Sequence, residues 1–178
     1  MAGARLIEGS PAMMAALEKF RDACAKNEFL TSAGLTVVVT EIRRPDIVQA
    51  RYFCHGRTVD EIAADLDHRE TDQNTRALMG LAIQETFGAE AMPEDRAPGR
   101  IITNALPYAG PHCLGVAMHF RVKKGRRILP DDQTPWEHVG KIAKSCGFVW
   151  GGNWKMRDME HLELPRQFWP KPALPEAA

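Results

Sequence analysis

Apolar residues recur at helical spacing near the start of the chain: Met13, Met14, Leu17, Phe20, Ala23 and Cys24 fall three or four apart and form one stripe. Ser10-Pro11, just ahead of it, offers an N-cap and a helix-starting proline. Together they predict a helix within residues 1–30 whose apolar face packs on a core. The rhythm changes at Leu35 to Thr40 (LTVVVT), where a β-branched run predicts a buried strand. Pro45-Asp46 then opens a second, short helix through Gln49, Tyr52 and Phe53 to Gly56. The stretch from Thr58 to about Asp95 is charged; it is predicted to hold a helix from Gln73 to Phe87 and to run into a Pro/Gly-bearing loop from Pro93 to Gly99. Residues 59–95 are too few to fold alone, so they read as a helical insertion.

Downstream, Ile101-Ile102 predicts a short strand, and Leu114 to Val122 (LGVAMHFRV) a longer one that turns at Lys124-Gly125. Gln133-Thr134-Pro135 starts a helix containing Val139, Ile142, Ala143 and Cys146, with Gly147 as its stop. A Gly-Gly-Asn-Trp loop precedes a last strand from Glu160 to Leu164, and residues 166–178 read as a proline-rich extended tail. The sum is an α+β class: a single domain with a small antiparallel sheet flanked by helices and one helical insertion.

Composition narrows the partners. The chain has 178 residues, 44% of them hydrophobic, which suits one domain with a proper core. Lys+Arg and Asp+Glu balance at 23 each, so no nucleic-acid partner is expected. The basic run from Lys123 to Arg127 is accounted for by a solvated hairpin. The four cysteines, Cys24, Cys54, Cys113 and Cys146, form no CxxC pair and read as structural thiols, with Cys113 singled out because it neighbours His112. No stretch is long and apolar enough for a bilayer, and Met1 to Glu8 lack the apolar core of a signal peptide. Cytoplasmic synthesis without membrane insertion is the expectation.

Chemistry gathers at two loci, His112-Cys113-Leu114-Gly115-Val116-Ala117-Met118-His119 and Asp158-Met159-Glu160-His161-Leu162-Glu163. A zinc hydrolase needs three protein ligands, an open coordination position and a carboxylate that takes a proton from water. Strand alternation puts Gly115, Ala117 and His119 on one face, leaving space before an imidazole, and puts His161 and Glu163 together on the last strand. Neighbouring strands presenting His119 and His161 would form a site with Asp158 at its lip. His55, His68 and His138 lack such surroundings and read as ordinary surface or core histidines.

At these residues the chain resembles the M15 metallopeptidases, the D-alanyl-D-alanine carboxypeptidases and L-alanyl-D-glutamate endopeptidases, and most of all their phage endolysin branch. Gly110 to His119 is similar to the family pattern SxHxxGxAxD, and Gly147 to Trp154 followed by Asp158 to Glu163 to its GFxWGGDW…DMPHFE ending. Thr40 to Gln49 resembles TSxYRSxxxQ, Tyr52 to Thr58 resembles LYAQGRT, and Pro98 to Ala105 resembles PGxIVTNA. The pieces occur in family order over residues 35 to 164.

The resemblance implies a Zn2+ site with His112, His119 and His161 as ligands, Asp158 as catalytic acid/base and Arg44 at a substrate carboxylate. Glu163 would orient a ligand from behind. It implies peptidoglycan stem peptides as substrate and, for a phage lysin, a holin-like pore as the route to the wall. Two departures stand out. His119 occupies a position where the family has aspartate, and Gly110 one where it has serine. An all-imidazole set leaves the full dipositive charge on the metal. The rival readings are a catalytically impaired wall-binding or phage structural protein of the same fold, and a zinc hydrolase of another amide.

Overall fold

A computed structural model of the chain describes residues 9–170. Its elements in order are α1 (Pro11–Lys26), α2 (Glu28–Ser32), β1 (Leu35–Glu41), α3 (Asp46–Cys54), α4 (Val59–His68) and α5 (Gln73–Phe87). They are followed by β2 (Ala117–Lys124), β3 (Arg127–Ile128), α6 (Trp136–Ser145), β4 (Val149–Trp150) and β5 (His161–Glu163). The α+β class with a small antiparallel sheet is borne out. The chain condenses into two compact units, one from the chain up to Arg43 and from Leu114 onward, the other from Arg44–Cys113. No helix among the described residues is long and apolar enough to cross a membrane. The N-terminal segment read for a leader, and the tail beyond residue 170, lie outside the described residues.

In the first unit α1 begins as its sequence directs. Pro11 takes the first helical position, and the Ser10 hydroxyl accepts the Met13 N–H at 3.2 Å. The stripe Met13, Leu17, Phe20 and Cys24 is buried. Strands run in the order β1-β2-β5-β4, every pair antiparallel, with β3 folded back on β2 through Gly125 at φ +59°. One face of this sheet is core. Val37 opposes Val122, Val39 opposes Phe120 and Met118 opposes Leu162, so these pairs share a face. Phe20 meets Phe120 and Phe148 edge-on at centroid distances of 6.2 and 5.9 Å, geometries contributing about 0.5–1.5 kcal/mol each beyond burial.

The alternation breaks once, and the site depends on that break. Val39 opposes Phe120, yet it is Glu41 that opposes His119, so Thr40 is the extra residue of a β-bulge. Uninterrupted pairing would have opposed Thr40 to His119 and turned Glu41 into the core. The bulge instead puts Glu41 on the face of His119, and Ile42 joins the core at 1% exposure.

Trp150 anchors the far edge. It is 1% exposed, and its indole N–H donates to the Met159 carbonyl at 2.9 Å. Two glycines admit its ring. A Cβ on Gly140 would sit 2.4 Å from ring atom Cδ2, and one on Gly152 2.3 Å from Cζ2. Gly115, expected within a strand, lies outside it at φ +66°. Its carbonyl accepts the Ser10 N–H at 2.9 Å, and a Cβ there would press on Ser10 N at 3.2 Å.

The second unit has a core of its own, with Phe53, Cys54, Ile62, Met79, Ala82 and Leu106 at its centre. α5 spans the residues its pattern predicts, whereas α4 was not anticipated. Its start is a capping box: the Thr58 hydroxyl accepts the Glu61 N–H at 3.1 Å, and the Glu61 carboxylate accepts the Thr58 N–H at 2.8 Å. The strand expected at Ile101-Ile102 is absent. Both side chains are half exposed, at 44% and 50%, so pairing would bury little. The loop that follows is held by side chains instead, Arg57 donating to Thr103 O at 3.1 Å and Gln49 to Ala105 O at 2.7 Å. At the other end of the chain, Arg166–Phe168 form a 3-10 turn where an extended tail was expected, with the Trp169 indole donating to Leu164 O at 2.7 Å.

These glycine environments predict opposite outcomes for one substitution. Gly140→Ala should destabilise by about 1–3 kcal/mol despite the better helix propensity of alanine, because the methyl strikes a buried indole. Gly80→Ala, in α5 with nothing within 4 Å of the new Cβ, should stabilise by about 0.5–1 kcal/mol. Chemical denaturation midpoints of the two variants check this; equal shifts of one sign would contradict it.

Candidate metal centre

Three aligned residues on three strands define the site. In register, Glu41 of β1 opposes His119 of β2, and His119 opposes His161 of β5. Because directly opposed residues share a face, all three side chains stand on the side of the sheet away from its core. One step along, Glu163 opposes Ala117, whose small side chain leaves room on that face.

The rings are oriented by carboxylates. His161 Nε2 lies 3.2 Å from Glu163 Oε2, and His119 Nδ1 lies 3.5 Å from Glu41 Oε2. With each of these nitrogens turned to a carboxylate, the other nitrogen of each ring faces inward. His161 Nδ1 and His119 Nε2 approach to 3.4 Å. When both inner nitrogens carry lone pairs, a cation between them relieves their repulsion. His112 is buried, its carbonyl accepting the Arg44 N–H at 3.2 Å. His119 and His161 thus bring two imidazole donors together within the first unit, while His112, the third residue expected as a ligand, belongs to the second. Borderline-soft imidazole donors of this kind suit zinc.

Asp158 approaches the pair from a loop. Its Oδ2 lies 3.8 Å from His119 Nε2, and its side chain keeps 44% exposure against 22% for His119, so it borders solvent. The backbone that holds it is specific. Asp158 N–H donates to Gly151 O at 3.1 Å, and the His161 N–H donates to Asp158 O at 3.2 Å. A Cβ on Gly151 would lie 2.6 Å from Asp158 O and 3.1 Å from His161 Cβ. The Gly151-Gly152-Asn153-Trp154 run thereby acquires a physical reading. Gly151 admits Asp158, Gly152 admits the Trp150 ring, and the Trp154 ring packs against His161 with centroids 4.8 Å apart. Glu160, between two site residues, pairs with Arg121 instead, and burial raises its pKa.

The remaining predicted residues are placed as follows. Arg44 is buried, donates from Nη1 to Gln49 Oε1 at 2.8 Å and lies over the Tyr52 ring at 4.6 Å. Cys113 is buried, and burial with the nearby Asp46 carboxylate pushes its thiol up to about 12. It is not among the grouped donors. All four cysteines are free and buried, as structural thiols would be. Glu41 and Trp154 both stand in motifs quoted from the sequence without a role assigned to them, and the placement of Glu41 beside His119 becomes visible only with the bulge.

Known proteins share this part of the chain. The family model described as D-alanyl-D-alanine carboxypeptidase, one of the M15 peptidases, matches residues 106–164, which include all three histidines, Asp158 and Glu163. The M15 resemblance read from the sequence is thus borne out over this segment. Among curated proteins, the peptidoglycan L-alanyl-D-glutamate endopeptidase CwlK of Bacillus subtilis (strain 168) is 37% identical over 76 residues, covering 37% of this chain. The chain spans less than half of that relative, 46% of its length. Two solved structures are also similar at 14% identity. The Serratia marcescens L-Ala D-Glu endopeptidase ChiX has a TM-score of 0.37, covering 87% of this chain and 90% of its own. A Zn(II) complex of a variant of the vancomycin resistance D,D-pentapeptidase VanY has a TM-score of 0.42, covering 91% and 79%.

The donor set predicts a metal-dependent gain in stability. Chelator-treated protein should melt at a higher temperature once Zn2+ is added, by the equivalent of about 2.7 kcal/mol at a free metal concentration of 100 times Kd. His161→Ala should lose most of that gain. Calorimetry with and without metal checks this, and an unchanged melting temperature in the wild type would contradict it.

Proposed function

We propose that the protein is a zinc-dependent peptidase that hydrolyses amide bonds in bacterial peptidoglycan stem peptides. The observation that carries this reading is the opposed pair His119 and His161, each backed by a carboxylate, with Asp158 at the solvent edge. His112, His119 and His161 would hold the metal. When bound, zinc supplies Lewis-acid polarisation of the scissile carbonyl and acidifies water toward neutral pH.

The chain's own groups do the rest. Asp158 accepts the proton of the attacking water and delivers it to the leaving amine, a role suited to a loop carboxylate that borders solvent. Glu163 accepts from His161 Nε2–H and so fixes which nitrogen of that ring stays a ligand. Arg44 would take a substrate carboxylate through paired hydrogen bonds, with Gln49 and Tyr52 restricting its guanidinium. The match to the D-alanyl-D-alanine carboxypeptidase model and the identity with a peptidoglycan L-alanyl-D-glutamate endopeptidase support both the reaction and the substrate class. The finer reading, a phage endolysin reaching the wall through a holin-like pore, rests on the sequence resemblance to that branch.

Mass spectrometry of purified peptidoglycan digested by the zinc-loaded protein tests this. New termini between L-Ala and D-Glu select the endopeptidase, and release of terminal D-Ala the carboxypeptidase. Asp158→Ala should reduce turnover by roughly 10²–10⁴-fold while retaining zinc. Digestion by the variant at the wild-type rate would remove Asp158 from the mechanism. Intact wall peptides after incubation with zinc-loaded wild type would favour a binding protein of the same fold.

A further inference from the structure

The metal reading leaves a carboxylate to be explained. Glu41 stands on the site face only because Thr40 is bulged; pairing without the bulge would turn it toward the core. It lies directly across from His119, its Oε2 3.5 Å from His119 Nδ1, and both side chains are half-buried. The opposite nitrogen of the same ring, Nε2, is the one that faces His161 Nδ1 at 3.4 Å and Asp158 at 3.8 Å. The two ring nitrogens thus have different surroundings, a carboxylate on one side and the metal-binding donors on the other. Glu163 stands in the same relation to His161.

A neutral imidazole carries one proton, and the group beside it decides which nitrogen keeps it. A carboxylate at Nδ1 holds the proton there and leaves the Nε2 lone pair for a cation. It also adds negative charge beside three imidazole donors that are themselves neutral. We propose that Glu41 is a positioning residue for His119: it fixes the ring as the Nδ1–H tautomer and supplies charge that a carboxylate ligand at position 119 would have supplied directly. This rests on the assignment of the three histidines as metal ligands.

A double-mutant cycle read as zinc affinity, by competition with a chromophoric chelator, tests this on wild type, Glu41→Gln, His119→Asp and the double variant. Glu41→Gln keeps the size of the side chain and removes its charge. In the wild-type background it should weaken zinc binding by about 10- to 100-fold, the range for groups that support a ligand from behind. In the His119→Asp background the loss should vanish or reverse, because Glu41 would then face a like charge across the strands. A purely structural Glu41 would give the same loss in both backgrounds. A second readout needs no variant: in the zinc-loaded wild type, long-range 1H–15N spectra should show His119 protonated at Nδ1.

An equal loss in both backgrounds, a loss under about threefold in the wild-type background, or His119 protonated at Nε2 each overturns the proposal. Wild type that binds no stoichiometric zinc defeats the metal reading and this proposal together. Wild type that binds zinc tightly and is indifferent to Glu41→Gln defeats this proposal alone.

Discussion

Opposed residues on antiparallel strands share a face, and here that rule acts twice in one row, Glu41 against His119 and His119 against His161. Everything chemical in the first unit follows from this row. The histidine pair exists because β2 and β5 are in this register; a slip of one residue would turn one of the two imidazoles into the core and expose Met118 or Leu162 in its place. The apolar pairs on the other face, Met118 with Leu162 and Val39 with Phe120, make such a slip expensive. The site is therefore held in register by the burial of its neighbours, and its own polar contacts need only orient the rings.

Around that row the chain places groups by close approach. Gly151 lets the Asp158 carbonyl come near, and Gly140 and Gly152 let Trp150 sink into the core. The Trp150 indole in turn ties down Met159, the residue following Asp158. Core packing and the geometry of the candidate site are thus linked through Trp150. A methyl group at any of these glycines would act on the site through backbone position rather than through chemistry.

Much of this was legible in the sequence, and what was not has physical causes. α1, β1, α5 and α6 carry clear caps or uninterrupted periodicity, and they appear close to where the pattern sets them. The shared face of His161 and Glu163 follows from simple alternation, whereas the opposition of His119 to His161 is set by strand register. α4 escaped notice because its charges hide a narrow buried stripe of Ile62 and Leu66, although Thr58 and Glu61 mark its start. The extent of the second unit was understated because its core joins Ala50 and Phe53 to Met79 and Leu106 across long sequence separations. Glu41 was out of reach for a sharper reason. Alternation counted from Val37 and Val39 assigns it to the core, and only the bulge at Thr40 reverses that.

The claim on which the rest stands is that His112, His119 and His161 together hold one zinc ion. X-ray absorption spectroscopy of the zinc-loaded protein tests it most directly. The account predicts a first shell of nitrogen and oxygen donors at about 2.0–2.1 Å, with the outer-shell scattering of three imidazole rings. A sulfur contribution near ~2.3 Å, or scattering from fewer than three imidazoles, would contradict it.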